Sequence, residues 1–175
     1  PAAIPLPATW DAVQQRANQA PQLSGEFLRN YLATPEMKAK RCVRRKDTVY
    51  FAGYTPKHGV EMWKTNAGAT EAELFMDLLP GPASSSPDEL TIYKDSLLFS
   101  AEHGTYGREL WSSDGTVEGT ALVQDVAPGK GGGNPSELTV LGDTLLLTMR
   151  RSSVLNGAPY LAYLDSVGTL RSIAQ

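Results

Sequence analysis

Gly107-Arg108-Glu109-Leu110-Trp111-Ser112-Ser113-Asp114-Gly115-Thr116-Val117-Glu118-Gly119-Thr120-Ala121-Leu122-Val123-Gln124-Asp125-Val126-Ala127-Pro128-Gly129 is the best-preserved copy of an internal repeat, and its spacing decides how the chain is built. Gly59, Glu61 and Trp63 stand 48 residues before Gly107, Glu109 and Trp111, and Asp77-x-x-Pro80-Gly81 stands 48 before Asp125-x-x-Pro128-Gly129. The same offset relates Pro87-x-Glu89-Leu90-Thr91 to Pro135-x-Glu137-Leu138-Thr139. It also places Asp47, Asp95 and Asp143 at the head of Asp-Thr-Val-Tyr-Phe, Asp-Ser-Leu-Leu-Phe and Asp-Thr-Leu-Leu-Leu. A self-similar period of this length marks a tandem architecture in which each unit needs its neighbours to bury its faces.

Each unit divides into four short runs rich in apolar and β-branched residues, separated by Gly, Pro, Ser and Asp. In the middle unit the expected strands cover about 89 to 93, 96 to 101, 108 to 113 and 121 to 126, with Lys94-Asp95 in a tight turn and Asp114-Gly115 in a second one. The outer units follow at 42 to 46, 48 to 53, 60 to 65 and 73 to 78, and at 137 to 141, 144 to 149, 159 to 164 and 169 to 174. Leu97-Leu98-Phe99, Val49-Tyr50-Phe51 and Leu145-Leu146-Leu147 are apolar at consecutive positions, so both faces of these strands call for burial. Stacked four-stranded sheets meet that demand, as in an open or incomplete β-propeller. A β-trefoil, which also uses three units of four strands, is the alternative. The repeat domain spans residues 41–175, with units of about 41–79, 88–127 and 136–175.

Residues 1–40 read differently. Pro1, Pro5 and Pro7 fix φ and remove donors, giving an extended arm. Thr9 as a cap before Trp10, Val13 and Ala17, then Ser24 before Phe27, Leu28, Tyr31 and Leu32, predict short helices ahead of the repeats. The Phe27 and Tyr31 stripe is expected either to cover an edge of the repeat domain or to meet a partner. The basic run Lys38, Lys40, Arg41, Arg44, Arg45 and Lys46 leads into the first unit, where the middle unit has Leu90-Thr91-Ile92-Tyr93-Lys94, and so predicts a unit that faces water or a partner. Phe27, Tyr31, Arg41, Arg44, Arg45 and Lys46 are the candidate partner contacts.

Composition narrows the function classes. The 175-residue chain has 41% hydrophobic residues and a net charge of −3, which gives no general electrostatic footprint for nucleic acid. No apolar run approaches the roughly 18 residues of a spanning helix. A protein partner in a larger complex, peripheral to a membrane at most, is the expectation. Cys42 is the only cysteine, so no disulfide forms within the chain. The start at Pro1, rich in Ala and Pro and lacking Met, suits a processed chain that is exported or held in an organelle lumen.

Glu109-Leu110-Trp111-Ser112-Ser113-Asp114-Gly115-Thr116, with Gly119-Thr120, Val123, Asp125 and Pro128-Gly129, resembles the ELWxxDGT repeat family. The resemblance covers about residues 42 to 142 and implies propeller-like β structure of the kind found in many copies in bacterial surface or exported proteins. The first unit departs from the signature with Glu61-Met62-Trp63-Lys64-Thr65-Asn66-Ala67-Gly68, and in the third Pro159-Tyr160-Leu161 stands where the Trp belongs.

Candidate chemistry is sparse. Glu109 and Trp111, two apart on one strand, share a face. They could stack and hydrogen-bond a sugar, or form a buried Trp with a Glu that satisfies backbone donors. Asp114, Glu118 and Asp125 supply oxygens near a Gly turn, so calcium is conceivable, but the dense alternation of an EF-hand loop is missing. Gly129-Lys130-Gly131-Gly132-Gly133-Asn134 lacks the Lys placement and following helix of a phosphate loop and reads as a connection between units. His58 and His103 do not align with each other or with Cys42, and no nucleophile elbow occurs, so no catalytic residue, metal site or cofactor is predicted. The leading expectation is a non-enzymatic structural or interaction module, an accessory subunit of a larger assembly. The alternative is an extracellular carbohydrate- or calcium-binding adhesion module that uses Glu109, Trp111 and Asp114.

Overall fold

The computed structural model describes residues 41–66, 69, 71–150 and 158–173. The helices expected within residues 1–40, and with them Phe27 and Tyr31, lie outside the described residues. The rest is β-structure. Sheet I contains β1 (Cys42–Arg45), β2 (Thr48–Thr55), β3 (Gly59–Asn66) and β4 (Glu73–Met76). Sheet II contains β5 (Asp88–Tyr93), β6 (Ser96–His103), β7 (Gly107–Ser113) and β8 (Thr120–Leu122). Sheet III contains β9 (Ser136–Leu141), β10 (Thr144–Met149), β11 (Tyr160–Leu164) and β12 (Leu170–Ser172). Every sheet is an antiparallel meander whose strands pair in chain order.

Local chemistry accounts for the meanders. The first hairpin of every sheet closes over two residues, which demands a left-handed backbone at the turn. Lys46 (φ 54°), Lys94 (φ 48°) and Gly142 (φ 58°) supply it at corresponding positions. β5 and β9 each carry a register shift against the next strand, between Asp88 and Thr91 and opposite Leu146 to Thr148. Glu89 (φ 59°) and Glu137 (φ 56°) take a left-handed backbone there, so the irregularity is repeated along with the sequence. The fourth strand is shorter than its apolar run suggests. Past Leu122 the Val123 N–H still reaches β7, at the Leu110 carbonyl, and the amide of Val126 goes to Glu109.

Sheet II is buried on both faces. Leu97, Phe99 and Trp111 pack with Tyr50, Met62 and Phe75 of sheet I. Leu98 and Leu110, pointing the other way, pack with Leu145, Leu147, Met149 and Leu164 of sheet III. Each fully buried Leu or Phe contributes about 1.5–3 kcal/mol relative to an exposed one, so the two cores dominate the holding energy. Polar bonds fix their register. Arg45 Nε donates to the carbonyl of Asp95 at 2.5 Å, and Tyr93 Oη, at the corresponding position of sheet II, donates to the carbonyl of Asp143 at 2.5 Å. Glu89 Oε2 adds a second tie from sheet II to sheet III by accepting the Leu138 N–H at 2.9 Å.

The ladder of sheet III corrects the constant-period reading. Phe51 pairs with Trp63 and Phe99 with Trp111, but Leu147 pairs with Ala162. Leu147 and Ala162 are 15 residues apart, three more than either of the other pairs, so Ala162, and not the Pro159-Tyr160-Leu161 segment, holds the tryptophan position. Tyr160 holds the glutamate position, and Asp165 the place of Asp114.

Candidate functional site

Glu61 and Glu109 face the same task in two sheets. Both sit on the third strand and are fully buried. Glu109 Oε1 accepts the N–H groups of Val126 at 3.1 Å, Ala127 at 3.4 Å and Gly133 at 2.9 Å. Glu61 accepts the N–H groups of Leu78 at 3.1 Å and Ser85 at 2.7 Å, and its Oε2 also takes the Ser85 hydroxyl at 2.5 Å. Leu78 and Ser85 precede Val126 and Gly133 by one period. The glutamate therefore ties down the connection that leads from one sheet to the next, satisfying amides that no ladder reaches.

The two copies differ in one atom with an electrostatic consequence. Gly133 replaces Ser85, so Glu109 Oε2 has no hydrogen-bond partner. A Cβ at Gly133 would lie 2.5 Å from Met149 Cε, and Met149 stands where sheet II has Ala101. The larger methionine thus fills the space that a serine side chain uses in the first copy. Burial pushes the Glu109 carboxyl up to about 7 against the pull of the Ala127, Val126 and Gly133 N–H groups, with the Asp125 charge adding to the rise. Burial also raises Glu61, and its Ser85 hydroxyl and amide bonds counter this.

The repeated glycine ahead of the glutamate has a steric cause. Gly107 adopts φ 68°, and a Cβ there would come within 2.6 Å of the Lys130 carbonyl oxygen and 2.8 Å of the Gly132 nitrogen. The connection thus crosses directly over β7. Arg108 clamps the preceding connection, its Nη2 donating to the carbonyls of Ser85 at 3.2 Å and Ser86 at 3.0 Å. Sequence reading missed this role because Val60 occupies the same position in sheet I and donates its main-chain N–H to Ser84 Oγ instead.

Trp111 is buried between sheets I and II, with the His103 ring tilted 5.5 Å away, and its Nε1 has no hydrogen-bond partner. Asp114 folds onto its own turn: Oδ1 accepts the Thr116 N–H at 2.9 Å and the Thr116 hydroxyl at 2.7 Å, which hold its carboxyl below the usual range. Asp165 does the same in sheet III, accepting the N–H groups of Val167 at 3.1 Å and Thr169 at 2.8 Å. The glycine run serves the connection too: Asn134 N–H donates to the Arg108 carbonyl at 3.0 Å.

The basic run is divided by its register. Arg45, 14% exposed, and Lys46 reach Asp95 of sheet II at 3.1 Å, and Arg41 reaches Asp88 at 3.4 Å. Arg44 turns back to Asp47 at 3.5 Å and remains 65% exposed. Cys42 is half-buried on β1, and burial raises its thiol. His58 Nδ1 lies 2.8 Å from Asp77 Oδ2, in the first unit alone. Among the described residues no three His, Cys, Asp or Glu side chains gather as metal ligands, and no helix is long and apolar enough to cross a membrane.

A scan against protein-family models matched no family, and a search of curated proteins returned no match.

Proposed function

We propose that this chain is a non-enzymatic structural and protein-interaction module, an accessory subunit of a larger assembly, whose three sheets stack as consecutive blades of an open propeller of the ELWxxDGT kind. One observation carries the reading: the acid and the tryptophan that define the repeat are turned inward, and Asp114 is engaged with its own turn. Glu109 spends one oxygen on three amides of a connection, Trp111 lies between two sheets, and Asp114 closes its own turn. A sugar-stacking tryptophan needs an open face, and Trp111 is buried.

Propeller stacking is supported by strands that form ladders only within their own sheet and by matching side-chain ties from each sheet to the next. A trefoil would instead join strands of different units in a shared barrel. Sheet III also keeps an apolar outer side, with Leu141 67%, Leu161 45% and Ile173 40% exposed, as a surface for assembly requires. Exported or lumenal placement, with partners that meet the open sheets and the Arg44 and Lys46 edge, belongs to the same proposal.

Calorimetry of the chain against calcium and against a glycan panel tests it. No heat at millimolar ligand is expected, and saturable heat abolished by Trp111→Ala or Asp114→Ala would transfer the chain to the adhesion class.

A further inference from the structure

The two junctions between sheets are filled differently at their outer edge. In the first, Tyr50, Lys64 and Phe75 of sheet I occupy the space in front of the turn that starts at Asp114. The Tyr50 ring meets Phe75 edge-on at 5.1 Å, Lys64 Nζ lies 5.4 Å from the Phe75 centroid, and Tyr50 Oη donates to the Gly115 carbonyl at 3.4 Å. One period later the same three positions are Leu98, Ser112 and Val123. The turn of sheet III holds the corresponding place. Asp165 follows Leu164 as Asp114 follows Ser113, and Leu164 and Ser113 pair with Leu145 and Leu97, themselves one period apart.

Three large side chains of sheet I have thus become smaller ones in sheet II, while Ser113 ahead of the turn has become Leu164. The second junction holds a groove of about 340 Å³, lined in part by Tyr93, Lys94, Leu98, Val123, Leu164 and Ser166, within the ~300–1,000 Å³ of small-molecule sites. Leu98, Val123 and Leu164 give it apolar walls, while Asp165 is engaged with its own turn and with Arg171 Nε at 3.0 Å.

We propose that this groove binds a phenol, a planar ring carrying one hydroxyl, in the place that Tyr50 fills in the first junction. The ring lies between Leu98, Val123 and Leu164, and the hydroxyl donates to the main-chain carbonyl of Ser166, the counterpart of Gly115. A free phenolic molecule and a tyrosine side chain of another protein present the same chemistry. The site does not depend on the interaction-module reading, since it follows from the junction between sheets II and III alone.

The test is an amide NMR titration of the whole chain with p-cresol, toluene and N-acetyltyrosinamide. Saturable shifts at Leu98, Val123 and Ser166 are expected with p-cresol, and about tenfold weaker binding of toluene, the worth of one hydrogen bond. Tighter binding of N-acetyltyrosinamide than of p-cresol assigns the groove to a tyrosine side chain, and the reverse order assigns it to a free phenol. Leu98→Tyr restores the residue of the first junction, so it should end binding while preserving the fold and raising the melting temperature. Should Leu98→Tyr fail to fold, Val123→Phe closes the groove from the other wall. The proposal is overturned if p-cresol gives no saturable shift at millimolar concentration, if toluene binds equally well, or if a folded variant that fills the groove still binds.

Discussion

Glu109 Oε1 lies 2.9 Å from the amide nitrogen of Gly133, a residue 24 positions later on the path into sheet III. The corresponding bond from Ser85 to Glu61 spans 2.7 Å on the path into sheet II. The acid of the repeat thus belongs to the joint between two units. In sheet III the corresponding position is held by Tyr160.

The pH dependence of folding should carry the mark of that joint. The Glu109 carboxyl titrates at about 7 in the folded chain, above its ordinary value of 4.5, so the folded state holds the proton more tightly than the unfolded one. Its contribution is complete below pH 4.5 and is lost as pH rises to 7, amounting to about 1–3 kcal/mol. Glu61 shifts in the same direction. Denaturant melts should show stability falling from pH 5 to pH 8, with Glu109→Gln removing the larger part of the slope. A slope unchanged in Glu109→Gln would contradict the assignment.

The exchange of Ser85 for Gly133 should be coupled to that of Ala101 for Met149. Gly133→Ser alone brings its Cβ within 2.5 Å of Met149 Cε, 2.8 Å of Glu109 Oε2 and 3.1 Å of Val126 Cβ, at an expected cost of about 1–3 kcal/mol. In the Met149→Ala background the new hydroxyl has room to donate to Glu109 Oε2, as Ser85 does to Glu61. A double-mutant cycle by chemical unfolding should give a favourable coupling of about 1–3 kcal/mol, and additive effects would refute the size compensation.

Gly107 and Gly129 separate steric crowding from backbone strain. Both have positive φ, 68° and 92°, but only Gly107 would bring a Cβ against another segment. Gly129→Ala should cost about 1 kcal/mol, and Gly107→Ala at least about 2 kcal/mol more, because the connection must move. Equal losses in thermal melts would mean that the crossing of β7 is loose.

The first hairpin of each sheet was legible because three independent signals coincided there. Lys94-Asp95 gave a two-residue turn, Leu97-Leu98-Phe99 called for burial on both sides, and the offset of 48 repeated both. The inward role of Glu109 was open to sequence as one of two readings, since two residues on one strand share a face whatever that face meets. Sheet III was misaligned at Pro159-Tyr160-Leu161 because three extra residues between the paired positions of β10 and β11 shift the register without altering the strand pattern. Ala162 also carries no aromatic signal by which to find the position. The groove beside Leu98 was invisible for a related reason. It depends on the joint exchange of Tyr50, Lys64 and Phe75, which are apart in sequence and are brought together by the pairing of three strands in sheet I.

The central claim, that the repeat acid builds the joint between sheets, is tested most directly by amide hydrogen exchange in Glu109→Ala. Three buried amides lose their acceptor, so the change should cost roughly 3–5 kcal/mol. The predicted result is lost protection at Val126, Ala127 and Gly133 beyond that global loss, with the amides of β6 and β7 falling only with overall stability. Unchanged exchange at those three amides, in a variant as stable as the parent chain, would contradict the account.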